Sequence, residues 1–351
     1  MQSNKTRDFS KGSVSGNILR LAGPMIFAQL INVLYNVVDR IYIGHIPDAA
    51  ANALTGVGIT FPIICIVTAF ANLFGGGGAP LFSIAWGRGN RDRAETIISN
   101  SFVLLIGTGI ALTVIVLLIK RPLLYLFGAS DVTFPYADGY LSIYICGSVF
   151  VMISLGMNNF INAQGFARMG MLTVLIGAVL NIVLDPIFIF VLNMGVQGAA
   201  IATVISQLVS AAWAVLFLTG KRVTFRIRRS RMRLQAKLVK DIVFLGFSGF
   251  IMAVTNSGVQ VVCNATLQTF GGDLYVGVMT VINSIREIAN VPVSGLTSAA
   301  QPVMGYNYGA KLYRRVREGI RFTSIACFAI LAVIWLILLL VFTLGITWVK
   351  G

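Results

Sequence analysis

Charged residues are scarce in this sequence. Asp, Glu, Lys and Arg together make up 11% of the 351 residues, whereas apolar residues make up 57%. A soluble domain carries roughly 25% charged residues, and a globule of this size cannot hide so much apolar surface from water. The composition therefore excludes a soluble globular protein and predicts an integral membrane protein.

Residues that ligate metals or form disulfides are also few. The chain has one histidine and four cysteines. All four cysteines fall inside apolar runs without paired spacing: Cys65, Cys146, Cys263 and Cys327. They are interpreted as small buried hydrophobes, and His45 as a polar residue at a helix end. The sequence supports neither a disulfide framework nor a structural metal site, and we expect no organic cofactor.

Long apolar runs, in contrast, are abundant. A helix needs roughly 20 apolar residues to cross a bilayer. On that measure we predict nine spans: 18–44, 53–79, 95–119, 137–161, 169–193, 197–219, 239–264, 274–299 and 320–347. The runs do not alternate with period two, which excludes a transmembrane barrel. The sequence therefore predicts an all-helical membrane protein.

Positive charge is distributed unevenly between the connections. Of the 27 Lys and Arg residues, 22 lie in the N-terminal segment and the even-numbered connections, nine of them between Lys221 and Lys240. This asymmetry predicts a cytoplasmic N-terminus and an external C-terminus in the cell membrane. The loop at 221–240 could also bind anionic lipid or nucleic acid. We favour the topological explanation, because the charges lie between apolar runs, and expect membrane lipid rather than nucleic acid as a partner.

Two segments of the chain resemble each other. "WGRGNRDRAETI" (86–97) and "YNYGAKLYRRVREGI" (306–320) both place a glycine, a basic cluster and a new helix after an apolar run. We therefore predict a six-helix lobe at 1–219, a basic inter-lobe loop at 220–240 and a partial lobe of helices 7–9 at 241–351. Parallel repeats of this kind are typical of transporters. A full second copy would extend to about residue 440 if the same offset held, so the chain is interpreted as a fragment or a shortened relative.

Several polar residues interrupt the first span. They follow three- and four-residue steps and share one face: Gln29, Asn32, Tyr35, Asn36 and Asp39. An aspartate at the centre of a spanning helix costs roughly 2.5–3.5 kcal/mol. This face is therefore expected to lie against other helices or a wet cavity.

The fifth and sixth spans carry matching polar pairs. Asn181 and Asp185 lie four residues apart, as do Thr203 and Gln207. In the predicted topology Asp39 and Asp185 occupy the outer halves of helices that run in the same direction. Two desolvated carboxylates can store a proton or bind a hard cation such as Na⁺. Polar packing between helices is the alternative, and paired aspartates would also serve an intramembrane protease, although nothing nearby would admit a peptide.

Other residues in the spans suggest supporting roles. Pro24 could couple the charge state of the first helix to bending. Arg286 and Glu287 could form a charge pair or line a cavity. The "GGGG" at 75–78 lacks the Lys-Ser/Thr of a nucleotide-binding loop and indicates close packing or a flexible end. Residues expected to line a cavity are Asn36, Gln207, Glu287, Met152 and Met157.

Three stretches together resemble a known family. "LAGPMIFAQLINVLYNVVDRIYIG", "AQGFARMGMLTVLIGAVLNIVLDPIFIF" and "GVQGAAIATVISQ" resemble the multidrug and toxic compound extrusion (MATE) family, in its DinF/MepA-like branch. The resemblance implies a V-shaped bundle of two six-helix lobes. It also implies a cation-binding site in the first lobe, with a bending proline at Pro24. The residues that match this site are Tyr35, Asp39, Asn181, Asp185 and Thr203. The other branch of the family carries an acid in the seventh helix; here the repeat equivalent of Asp39 lies near Cys263, so that site is absent.

The sequence thus predicts a transporter and not an enzyme. The expected function is antiport of H⁺ or Na⁺ against amphipathic, cationic drugs or toxic compounds across the cytoplasmic membrane. Two alternatives remain open at this point: a lipid-linked sugar flippase of the same superfamily, and a truncated chain that does not transport.

Overall fold

The computed structural model describes residues 8–46, 50–221 and 223–350, and these ranges contain helices but no strand. The α-helices are α1 (Val14–Ile43), α2 (Ala50–Gly87), α3 (Arg91–Leu126), α4 (Phe134–Cys146), α5 (Ser148–Ala163), α6 (Ala167–Pro186), α7 (Gly195–Thr219), α8 (Ala236–Gly309) and α9 (Tyr313–Lys350). A π-helical turn follows α6 at Ile187–Val191, and a 3₁₀ turn lies at Arg229–Arg231. The predicted all-helical class is confirmed.

Seven of the helices in the described ranges are long and apolar enough to cross a membrane. An eighth span results if α4 and α5 are counted together, although the pair is bent by 54°. The sequence predicted a span at 137–161, and the structure adds a break within it, between α4 and α5. The bend lies at Gly147, where α7 packs so closely that a Cβ would meet the side chain of Val204.

The seventh and eighth predicted spans do not form two helices with a connection between them. Residues 265–273 continue the helix, so that α8 runs for 74 residues. The predicted boundary was wrong because Gly271 and Gly272 weaken a helix by only about 1 kcal/mol each. No proline stands there to stop the helix.

Both ends of α8 nevertheless pack on the same helix, so α8 is not straight. Gly246 near its start contacts Leu73 of α2, and Gly309 at its end contacts Ile84 of the same helix. In a straight helix residues 246 and 309 would lie about 95 Å apart, whereas residues 73 and 84 are only about 16 Å apart along α2. The two arms of α8 therefore converge on one face of α2.

The close approach between α2 and its neighbours depends on the glycine run. A Cβ at Gly75 would lie 2.6 Å from Gly156 Cα of α5, and a Cβ at Gly77 would lie 2.7 Å from the backbone nitrogen of Gly246. These distances are too short for any side chain, so the run serves packing. It lies within α2 and not at a helix end.

The basic connection between α7 and α8 is fastened to the ends of earlier helices. Phe225 is buried, and its backbone exchanges two hydrogen bonds with the Gln164 side chain, at 3.1 and 3.2 Å. Glu95 of α3 is 1% exposed and accepts an ion pair from Arg228 at 2.7 Å. Further ion pairs come from Arg91 and Arg231 at 3.3 and 3.6 Å. This part of the loop is thus ordered by contacts with α3 and α5.

Candidate intramembrane acidic site

Asp39 and Asp185 lie next to each other. Asp39 is on α1 and Asp185 is at the end of α6, and these two helices pack together. Their carboxyl groups are close enough to interact with each other. Asp185 is fully buried, and Asp39 is partly buried. The structure therefore brings two carboxyl groups from different helices into one site.

Asn181 connects this pair to α7. Its side-chain nitrogen donates to Asp185 Oδ1 at 3.1 Å and to Thr203 Oγ1 at 3.4 Å. Asn181 can reach Asp185 because residues four apart in a helix share a face. One amide group thus fixes the orientation of the carboxyl group and joins α6 to α7.

Tyrosine side chains enclose the site. Tyr35 lies on α1 one turn before Asp39 and interacts electrostatically with both acids. Tyr140 of α4 lies beside Asp39 and Thr203, and its ring stacks on that of Tyr144 with centroids 6.0 Å apart. The α4 tyrosines were not among the residues predicted from the sequence. Their four-residue spacing in "YLSIY" is the signal that could have found them.

Three oxygen atoms at the site have no hydrogen-bond partner among the described residues. They are Asp39 Oδ1, Asp185 Oδ2 and Asn181 Oδ1, and all three are buried. Leaving a buried acceptor without a donor is costly, roughly 1–3 kcal/mol and more for a charged group. Such oxygens are the groups that a proton or a hard cation would satisfy.

Within the part of the chain that the structure describes, neither acid forms an ion pair with a basic side chain, although Arg40 interacts electrostatically with Asp39. None of the ion pairs in the described ranges includes Asp39 or Asp185. The neighbouring Arg40 is exposed, and its guanidinium carbon lies 6.0 Å from the centroid of the Phe61 ring. The two carboxyl groups therefore lie without an ion-pair partner among the described residues.

The backbone beside Asp185 departs from regular helix geometry. Pro186 cannot donate a backbone hydrogen bond, and the π-helical turn Ile187–Val191 begins directly after it. The Leu192 N–H donates to the Ile187 carbonyl at 2.9 Å, which closes this wider turn. Single π-turns of this kind often accompany functional sites.

The remaining candidate residues have varied surroundings. Asn36 is exposed and donates within its own helix to Asn32, at 2.8 and 3.1 Å. Gln207 of α7 has a buried side-chain oxygen with no partner among the described residues. Pro24 lies within a continuous α1, so it does not end the helix. Glu287 is exposed on α8 and belongs to none of the ion pairs in the described ranges.

The two methionines predicted to line a cavity lie in the core. Met152 and Met157 are fully buried in the main apolar core. A cavity-lining role for these two side chains stays a prediction.

The fold and the site together define a class: a multi-pass helical membrane transporter with a buried acidic pair. A family model described as MatE matches residues 24–187 and 249–347. The chain belongs to this family of multidrug export transporters, whose members are transporters rather than enzymes. Intramembrane proteolysis is therefore not the chemistry of the acidic pair.

Individual relatives show the same relationship. The multidrug export protein MepA of Staphylococcus haemolyticus is 25% identical over 325 residues, covering 93% of this chain and 71% of the relative. A crystal structure of a MATE protein in complex with MaD3S superposes with a TM-score of 0.90 at 27% identity, covering all of this chain and 78% of that one. The outward-facing conformation of a multidrug resistance MATE family transporter gives a TM-score of 0.87 at 27% identity, covering 95% of this chain and 74% of that one.

Proposed function

We propose that this chain is a cation-coupled exporter, in which H⁺ or Na⁺ moves inward and an amphipathic cationic compound moves outward. The main support is that Asp39 and Asp185 lie next to each other, and that each has a buried carboxyl oxygen without a hydrogen-bond partner among the described residues. A carboxyl pair in a low-dielectric site cannot hold two negative charges side by side at low cost. One cation at the pair is therefore favoured.

Occupation of the pair would act on three helices at once. Asp39 belongs to α1 and Asp185 to α6, and Asn181 extends the contact to Thr203 of α7. A proton placed between the carboxyl groups lets them bind each other, whereas an empty pair repels. The bound cation thus changes the packing of α1 against α6, and this difference can shift the balance between inward and outward opening.

The proposed orientation places the N-terminus in the cytoplasm and the end of this chain outside, in the cytoplasmic membrane. The positive charges of the loops support it. In this orientation the membrane potential drives a cation toward the interior through the acidic site. A lipid-linked sugar flippase is the competing function, but it would need basic side chains around a pyrophosphate, and the described site presents acids.

Efflux of ethidium, an amphipathic cation, from energised cells that express the chain tests this proposal. Asp39→Asn and Asp185→Asn should each reduce efflux to the level of cells without the protein. Asp131→Asn is the matched control, because Asp131 is exposed in the connection before α4 and accepts a bond from Tyr125 at 2.9 Å, far from the acidic pair in sequence. Efflux that is unchanged in both membrane variants, at equal expression, would contradict coupling through this pair.

A further inference from the structure

The segment just before α1 is held by residues distant in sequence. The Phe9 ring is 1% exposed and lies between Trp86 of α2 and Tyr306 of α8, at centroid distances of 5.5 and 5.8 Å. The Tyr306 hydroxyl also donates to Asp8 Oδ1 at 3.1 Å. The segment therefore joins the end of α2 to the second arm of α8.

The backbone of the same segment is fixed by a second set of bonds. Arg315 of α9 donates from Nη2 to the carbonyls of Phe9 and Gly12, at 3.1 and 2.9 Å. Its Nε donates to Asn307 Oδ1 at 3.0 Å, and Asn307 donates to the same Phe9 carbonyl at 3.2 Å. Asn307 is 1% exposed. Hydrogen bonds from a charged donor are among the stronger ones in proteins.

These contacts lie at the opposite end of α1 from the acidic pair. Ser13 caps α1 by accepting a bond from the Gly16 N–H at 3.2 Å, so the segment passes directly into the helix. Farther along, Ile26 packs so closely on α8 that a Cβ at Gly295 would lie 2.9 Å from its Cα. Asp39 then follows about 38 Å from the start of the helix. One helix thus carries the acidic site at one end and the fastened segment at the other.

We propose that residues 8–12 form a latch that holds this end of the bundle closed, with Arg315 and Asn307 as its positioning residues. The latch rests on the proposed function, in which this end faces the cytoplasm and must open to admit the exported compound. Opening separates α1 and α2 from the second arm of α8, and this movement breaks the bonds of Arg315 to Phe9 and Gly12. Cation binding at Asp39 is transmitted along α1 to the latch.

Residue accessibility tests the latch without any transport measurement. Ser298 lines a small cavity that it shares with Met25 and Ser83, between α1, α2 and α8. A Ser298→Cys reporter, in the full chain in lipid nanodiscs, is reacted with N-ethylmaleimide and followed by mass spectrometry at that residue. Arg315→Gln should raise its labelling rate by about tenfold, since a bond from a charged donor contributes roughly that factor.

Two controls separate a latch from loss of folding. Arg314→Gln removes the adjacent arginine, which is exposed and pairs only with Glu318 at 3.4 Å, and should leave the rate unchanged. A Gln197→Cys reporter at the start of α7, near the other end of the bundle, should not label faster in Arg315→Gln. Tyr306→Phe, which keeps the ring and loses only the bond to Asp8, should raise Ser298→Cys labelling by a smaller factor.

The outcomes are decisive in either direction. Faster labelling at residue 298 but not at residue 197 supports the latch, even if the chain exports no ethidium. Failure of the proposed function would appear separately, in the ethidium efflux measurement. An unchanged labelling rate at residue 298 in Arg315→Gln would overturn the latch proposal. So would equal acceleration at residues 197 and 298, because that pattern reports general loosening of the bundle.

Discussion

Asn181 donates to Asp185 and to Thr203 through the same side-chain nitrogen, and so joins two helices at the acidic site. Asn181→Ala should remove this link and leave one carboxyl oxygen of Asp185 without its donor. We expect ethidium efflux to fall by about tenfold, in line with the roughly 1–3 kcal/mol lost when a buried polar group loses its partner. Efflux rates at matched expression check this.

The control for that variant is Asn36→Ala. Asn36 is exposed and donates to Asn32 of its own helix, with no bond to Asp39 or Asp185 among the described residues, so efflux should stay near the unmodified level. If Asn36→Ala and Asn181→Ala lost equal amounts of efflux, removal of any side-chain amide in this region would have the same effect. The link from Asn181 to Asp185 and Thr203 would then not explain the loss.

The glycine run of α2, residues 75–78, gives a second prediction, which concerns stability. Gly77→Ala should lower the thermal midpoint in detergent by several degrees, because the new Cβ would lie 2.7 Å from the backbone nitrogen of Gly246 and overpacking costs about 1–3 kcal/mol. Gly76→Ala is its neighbour and control, since nothing lies within 4 Å of a Cβ there. If Gly77→Ala were as stable as Gly76→Ala, the close contact between Gly77 and α8 would be contradicted.

The buried Glu95 gives a prediction about the basic connection. Glu95→Ala removes the acid that pairs with Arg91, Arg228 and Arg231, and the 3₁₀ turn should loosen from α3. Limited trypsin digestion should then cut between residues 221 and 240 several-fold faster, because local opening exposes the backbone. Glu318→Ala, which breaks only the exposed pair with Arg314, should not change the digestion rate. Resistance of Glu95→Ala to trypsin would mean that the other contacts of the loop, such as those of Asp92 with Arg231 and of Gln164 with Phe225, hold it without Glu95.

The latch carries a pH prediction through Asp8, which lies outside the spanning segments. Hydrogen bonds donated by Ser10 are the main reason that the pKa of Asp8 lies below its ordinary value of 3.8, and partial burial opposes them. A carboxyl group with a lowered pKa contributes stability above its unfolded-state pKa and loses it as the pH falls through the folded-state pKa. The Tyr306→Phe effect on Ser298→Cys labelling should therefore be equal at pH 7.5 and pH 5.5. An effect that disappears at pH 5.5 would show that Asp8 is not the charged partner.

Much of the architecture could be predicted from residue pattern. Runs of apolar residues determine the helices because each backbone polar group in a bilayer must be bonded internally. The polar face containing Tyr35 and Asp39 also follows from spacing alone. The boundary inside α8 was wrong, since glycines without proline do not stop a helix, and the bend between α4 and α5 depends on the tertiary contact with Val204.

The site itself was less accessible to sequence reasoning. Tertiary packing determines which helices contact each other. The sequence therefore shows Tyr140 and Tyr144 of α4 only as two tyrosines four residues apart, and does not show that they lie at the site. The latch was missed for the same reason: Phe9 and Arg315 are separated by most of the chain, and a bond from Arg315 to backbone carbonyls leaves no pattern in the residue types of its partners.

The most direct test of cation exchange at the acidic pair is ion flux in proteoliposomes that contain the full chain. An imposed proton or sodium gradient should drive ethidium in the opposite direction, and the matching cation flux should appear only when ethidium is present. Asp39→Asn and Asp185→Asn should abolish both fluxes together. Ethidium transport that continues at full rate in both variants, or that ignores both gradients, would contradict the account.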